Sequence, residues 1–174
     1  MNLLTHLHPA IVHFPIALLL LGSVTALVHL YRPALFVRWL DLRRTTWFLL
    51  GVGWIAVVPA VLSGLLAQSP LPPDASYRLT LNWHTATGLG LLVLYGLLLY
   101  QGWIFRGAKA RKRRTAKNKD ANKALSAQGV VDLLDNPSSR LWLTVALLAG
   151  ILLIFSTGWN GGILVYEWGV NVAG

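Results

Sequence analysis

The chain has 174 residues, 55% of them hydrophobic and 12% charged, with a mean hydropathy of +0.58. A soluble domain of this length has too little interior to hide that much apolar surface. The absence of cysteine excludes disulfides, thiolate-held iron–sulfur clusters and covalent c-type haem.

Four apolar runs, near 10–30, 46–68, 84–105 and 141–158, reach the roughly 20 residues needed to cross about 30 Å of hydrocarbon. They predict an all-α, four-transmembrane-helix bundle forming a single membrane domain over 1–174. The opening MNLLTHLHP lacks the Lys/Arg cluster of a secretory leader, so the first run reads as a retained helix. It is expected to begin at Pro9, where a missing N–H costs nothing. Pro15 then frees the carbonyl of Ile11, and Pro33 ends the helix. The basic, aromatic stretch Ala34–Arg44 is expected to lie along the inner membrane surface.

The second run carries Gly51, Gly53, Ala60, Ser63, Gly64 and Ala67, small residues that let a helix or a flat ligand come close to the backbone. It stops at the proline-rich SPLPPD, 69–74. The third starts near Asn82–His84, and Gly88, one turn below His84, leaves that face open to a ring plane. The loop 106–139 opens with the charge run GAKARKRRTAKNK. Within it, Ala121–Leu134 reads as a weak amphipathic helix stopped by Asn136–Pro137. After the fourth run, Gly161–Gly162 breaks the apolar tail, and 159–174 is expected to form an ordered outer lid.

The net charge of +9 is distributed unevenly. Of 15 Lys and Arg, four lie between the first two runs, ten lie between Arg106 and Arg140, and Arg78 stands alone. The positive-inside rule makes the two basic loops cytoplasmic and both termini outer. The basic loops would then meet anionic lipid, and no nucleic-acid partner is expected.

This topology gathers His8, His13 and His84 at one end. His13 lies roughly 6 Å into the first helix and His84 roughly 4 Å into the third, at 1.5 Å per residue. Ionisable side chains at such depth are costly and mark candidate sites. Two imidazoles from separate helices at equal depth suit a b-type haem, with His13 and His84 as the metal ligands and His8 at the rim, where it could bond a propionate or replace either ligand. Gly64 and Gly88 would make room for the ring. Arg78, Asn82, Trp83 and Asn160 would meet the propionates, Arg78 as the one outer cation.

Other readings stay open. The histidines could bond locally in the headgroup region, or His6, His8 and His13 could hold copper or zinc. His29 lacks a histidine partner for a second haem. No carboxylate pair, phosphate loop, nucleophile elbow or HExxH motif suggests a stand-alone enzyme.

The opening HPAIVHFPIAL (8–18), the histidine opening the third helix and the closing GGILVYEWGVNV (161–172) resemble the bacterial membrane family catalogued as domain of unknown function 2231. The resemblance spans the chain, apart from a longer basic insertion at 107–136. It implies the four-helix fold and the importance of His8, His13, His84 and the 161–170 segment, but it supplies no activity. Some relatives are associated with redox proteins such as Rieske-type domains. The combined expectation is a multi-pass protein of the bacterial inner membrane that binds haem b. It would pass electrons to membrane or periplasmic redox subunits, or to quinone. The alternative is a non-catalytic subunit of a respiratory or photosynthetic complex.

Overall fold

The computed structural model describes residues 3–32, 41–115 and 132–170. Helices α1 (Leu3–Tyr31), α2 (Leu42–Gln68), α3 (Arg78–Thr115) and α4 (Arg140–Tyr166) make up nearly all of them, with 3₁₀ turns at Leu133–Asp135 and Pro137–Ser139. Among the described residues there is no strand. All four helices are long and apolar enough to span a membrane. Within hydrocarbon a segment must pair its own backbone groups, and an uninterrupted helix does so. Their outward faces carry Phe48, Ile55, Val93, Leu152 and Phe155, each more than half exposed, as a lipid-facing surface requires.

The helices pack in a ring, each on its neighbours in the chain, with α4 returning to α1. The α1–α2 contact is the most extensive and the α1–α4 seam the loosest. Glycine makes the first of these possible: a Cβ on Gly22 would stand 2.7 Å from Leu50 Cδ2, and one on Gly53 2.9 Å from Leu19 Cδ2. The core between the helices is built from Leu19, Ala26, Leu50, Val57, Leu91, Tyr95 and Leu147.

Several helix boundaries differ from the sequence expectation. Helix α1 starts at Leu3 rather than Pro9, so Pro9 and Pro15 both lie inside it. Each proline withdraws only one donor, and the rest of the turn stays paired. Helix α3 extends beyond 84–105 at both ends. Helix α4 runs through Gly161–Gly162 to Tyr166, with Gly161 leaving the space that the His84 ring takes. Of the lid expected over 159–174, residues 159–166 are helix and 167–170 form a turn. There Gly169 takes φ 61° and the Val170 N–H donates to the Leu164 carbonyl at 2.9 Å. Val170 is buried against Leu81 and Leu164. Residues 33–40, most of the expected surface stretch 34–44, lie outside the described residues, as do 121–131 of the expected amphipathic helix and 171–174. Of the described remainder, 132–134, Leu133 and Leu134 belong to the 3₁₀ turn Leu133–Asp135.

The basic end is closed by a clasp. Leu133 and Leu134 insert into the core while the aspartates on either side bind the helices around them. Asp132, 4% exposed, accepts from Trp47 Nε1 at 2.8 Å and from the Leu134 N–H at 3.2 Å. The Arg106 guanidinium lies over the Trp47 ring, 4.8 Å from its centre, and 3.9 Å from the Asp132 carboxylate. Asp135 accepts from His29 Nε2 at 2.8 Å and pairs with Arg43 at 3.4 Å. His29 therefore has a structural partner. Asp132→Ala leaves the Trp47 N–H without an acceptor and should cost about 1–3 kcal/mol of stability. Unfolding in mixed micelles measures this loss, and an unchanged midpoint would contradict the clasp's contribution.

Candidate functional site

At the opposite end, α1 delivers His8 and His13, α2 delivers Ser63 and Gly64, α3 delivers His84 and Gly88, and α4 delivers Thr157 and Gly161. The ring that meets His84 is that of His8. Their centroids are 6.2 Å apart and their planes 89° apart, edge to face. His13 sits on the cavity rim, but its exposed ring turns back on its own helix, with Nδ1 2.6 Å from the Pro9 carbonyl oxygen. The expected facing pair of His13 with His84 is therefore replaced by His8 with His84. The side chain of His6 lies outside the described residues.

The hydrogen bonds assign the tautomers. A carbonyl oxygen only accepts, so the 2.9 Å contact of His84 Nδ1 with the Thr157 oxygen places a proton on Nδ1. Ser63 Oγ spends its own proton on the Ala60 carbonyl at 2.9 Å. In its 2.9 Å contact with His8 Nδ1 it must therefore accept, and His8 also carries its proton on Nδ1. Both rings present a bare Nε2 lone pair. A hydrogen-bonded Nδ1–H behind a free Nε2 is the usual arrangement of a metal-ligating histidine.

Glycine lets both rings settle close to the helices. A Cβ on Gly64 would lie 2.9 Å from His8 Cε1, and one on Gly161 3.1 Å from His84 Cε1. In front of the rings lies a cavity of about 470 Å³, within the 300–1,000 Å³ of ordinary ligand sites. Its wall is mainly aliphatic, with Gly88 and Gly162 opening on free space. Among the described residues, Thr157 Oγ1 is the buried side-chain oxygen with no hydrogen-bond partner, and Thr157 lines this cavity. Also among them, no third His, Cys, Asp or Glu joins the two histidines in a metal-holding cluster.

Of the expected surroundings, Gly64 and Gly88 line the cavity, whereas Arg78, Asn82, Trp83 and Asn160 do not. Trp83 is 58% exposed, and Asn160 bonds back to the Ser156 carbonyl. The polar residues Gln68 and Thr85 do line the cavity. Thr85 Oγ1 donates to Gln68 Oε1 at 3.1 Å, which leaves the Gln68 amide N–H₂ as a donor. Thr157 and Gln68 carry no sequence pattern that marks them. Only their position beside the rings does.

A family model described as a predicted membrane protein, DUF2231, matches residues 5–174. The chain belongs to this family. The match covers both end motifs and all four spanning helices, so the two-histidine cavity is built from the part of the chain that the family defines. No curated protein and no solved structure matches it. It is a multi-pass membrane protein.

Proposed function

We propose that this DUF2231 protein binds haem b through His8 and His84 and serves as a membrane electron-transfer protein or as a subunit of a larger redox complex. The observation that carries the reading is the ring pair with both Nε2 lone pairs free. Their ring centres stand 6.2 Å apart, near enough for one bound group to reach both. Two ligands without a third suit an iron whose other four positions belong to a macrocycle better than a tetrahedral zinc or copper site.

The residues fit the group at the iron and along the apolar wall. At the propionate end Gln68 takes the place expected of Arg78. Bound there, haem would supply one-electron chemistry, while the protein sets its orientation and potential. Ser63 and the Thr157 carbonyl would hold the rings in the ligating tautomer beside a mainly aliphatic wall.

The test is the visible spectrum of the protein purified in nanodiscs from haem-replete cells. A Soret band with sharp reduced α and β bands supports the reading, and a folded, colourless, metal-free protein overturns it in favour of a structural subunit. Ser63→Ala removes the acceptor behind His8, and loss of such a partner typically weakens metal binding 10–100-fold. Haem titration of the apoprotein measures it, and an unchanged affinity would remove Ser63 from the site.

A further inference from the structure

The basic end of the bundle holds arginines in two different situations. Among the described residues, three of them are neutralised within the chain. Arg44 pairs with Asp41 at 3.2 Å, Arg43 with Asp135 at 3.4 Å and Arg106 with Asp132 at 3.9 Å. Arg32 and Arg140 are exposed, and neither pairs with a described carboxylate.

Arg140 is nevertheless held in place. Its guanidinium lies over the Tyr31 ring, 4.2 Å from the ring centre. Thr144 Oγ1 donates to the Arg140 carbonyl at 2.8 Å, so in its 2.9 Å contact with the Tyr31 hydroxyl it accepts. The phenol of α1 is thus tied to α4 through both its ring and its oxygen. A guanidinium stacked through its face keeps its N–H edge for an anion, and that planar fork matches carboxylate or phosphate oxygens. The same device is complete at Arg106, which lies over the Trp47 ring and meets the Asp132 carboxylate. At Arg140 the cation and the aromatic are both present, and no described residue supplies the anion.

Position says which anion fits. Tyr31 closes the α1 span and Arg140 lies just inside the start of the α4 span, so the pair stands where lipid headgroups begin. From there Leu141, Val145 and Leu148 continue along α4 as one exposed apolar stripe, at the spacing that keeps residues on a single helix face. A cation at the headgroup level above an apolar stripe matches a phospholipid from phosphate to acyl chain.

We propose that Arg140, stacked on Tyr31 and joined by Arg32, binds the phosphate of an anionic phospholipid whose acyl chain lies along this stripe. A zwitterionic lipid brings its own cation beside the phosphate, so two arginines without carboxylate partners favour a lipid of net negative charge. The seat lies at the opposite end of the bundle from the histidine cavity and is independent of the haem reading.

The test places the full chain in phosphatidylcholine nanodiscs with a trace of phosphatidylglycerol that carries a photoreactive group near the top of one acyl chain. Label is expected on 31–32 and 140–148, displaced by unmodified phosphatidylglycerol and not by further phosphatidylcholine or by inorganic phosphate. Arg140→Gln should lower the labelling about fivefold, the effect of one cation near the surface. Arg140→Lys keeps the charge without the planar fork, and Tyr31→Leu removes the stacking ring, so each should lower it about twofold or more. These side chains are exposed, so the fold should survive all three changes. Labelling unchanged in both Arg140→Lys and Tyr31→Leu would mean that charge alone attracts the lipid, with no built seat, and overturns the proposal. Equal displacement by phosphatidylcholine, displacement by inorganic phosphate, or label confined to other faces overturns it as well.

Discussion

His8→Ala and His84→Ala should each abolish the Soret band, while His13→Ala should leave it in place. Each of the first two variants removes one of the two ring nitrogens that would hold the iron. The affinity loss should exceed the roughly 100-fold upper range seen when only an orienting partner is lost. His13 contributes an exposed ring tied to the Pro9 carbonyl, so its removal takes nothing from the His8–His84 pair. Two further samples separate ligand loss from misfolding. His8→Gly and His84→Gly leave a vacancy of imidazole size, and added imidazole should restore part of the band. If His13→Ala is colourless and His8→Ala retains the spectrum, the ligand pair is instead the one that helix depth suggests from sequence.

Tyr95→Ala should cause a large loss of fold stability. The Tyr95 ring is fully buried in the middle of the bundle, packed against Gly150 of α4, where a Cβ would collide with its phenol. Its hydroxyl donates to Ser23 Oγ at 2.7 Å, and Ser23 in turn donates to the Leu19 carbonyl at 2.8 Å. The phenol thus ties α3 to α1 across the bundle. Lipid tails are as apolar as the core, so the cost in a bilayer comes from lost packing and the cavity left behind rather than from transfer to water. Truncating a buried aromatic typically costs about 3–5 kcal/mol, and the lower part of that range is expected here. Tyr95→Phe keeps the ring and loses one interhelical hydrogen bond, for about 0.6 kcal/mol. Detergent-induced unfolding of both variants reads the difference. Equal losses would make the hydroxyl, not the ring, the principal tie.

The two variants also divide the molecule. Tyr95 lies in the central core and is not itself one of the residues that line the cavity. Its loss should lower stability while leaving the spectral shape of any folded fraction unchanged. The histidine variants should remove the spectrum at a smaller cost in stability, since each loses one interhelical hydrogen bond rather than a large buried ring.

Sequence alone determined the four spans, the two basic loops and the gathering of His8, His13 and His84 at one end of the bundle. These follow from run length and charge placement, which are properties of the linear chain. Which histidines meet is a matter of helix start and rotation, and only the tertiary structure decided it. Placing the helix start at Pro9 left His8 outside the helix, whereas α1 in fact starts at Leu3 and carries His8 within it. His8 and His13 are five residues apart, about 140° around a helix with 3.6 residues per turn, so they cannot both face the same neighbour. The rotation of α1 is set by its glycine-mediated packing on α2 at Gly22 and Gly53, far along the chain from either ring. That packing puts His8 against Ser63 and Gly64 and turns His13 outward. The contributions of Thr157 and Gln68 were hidden for the same reason: an ordinary polar residue near a helix end becomes part of a site only when another helix brings a ring beside it.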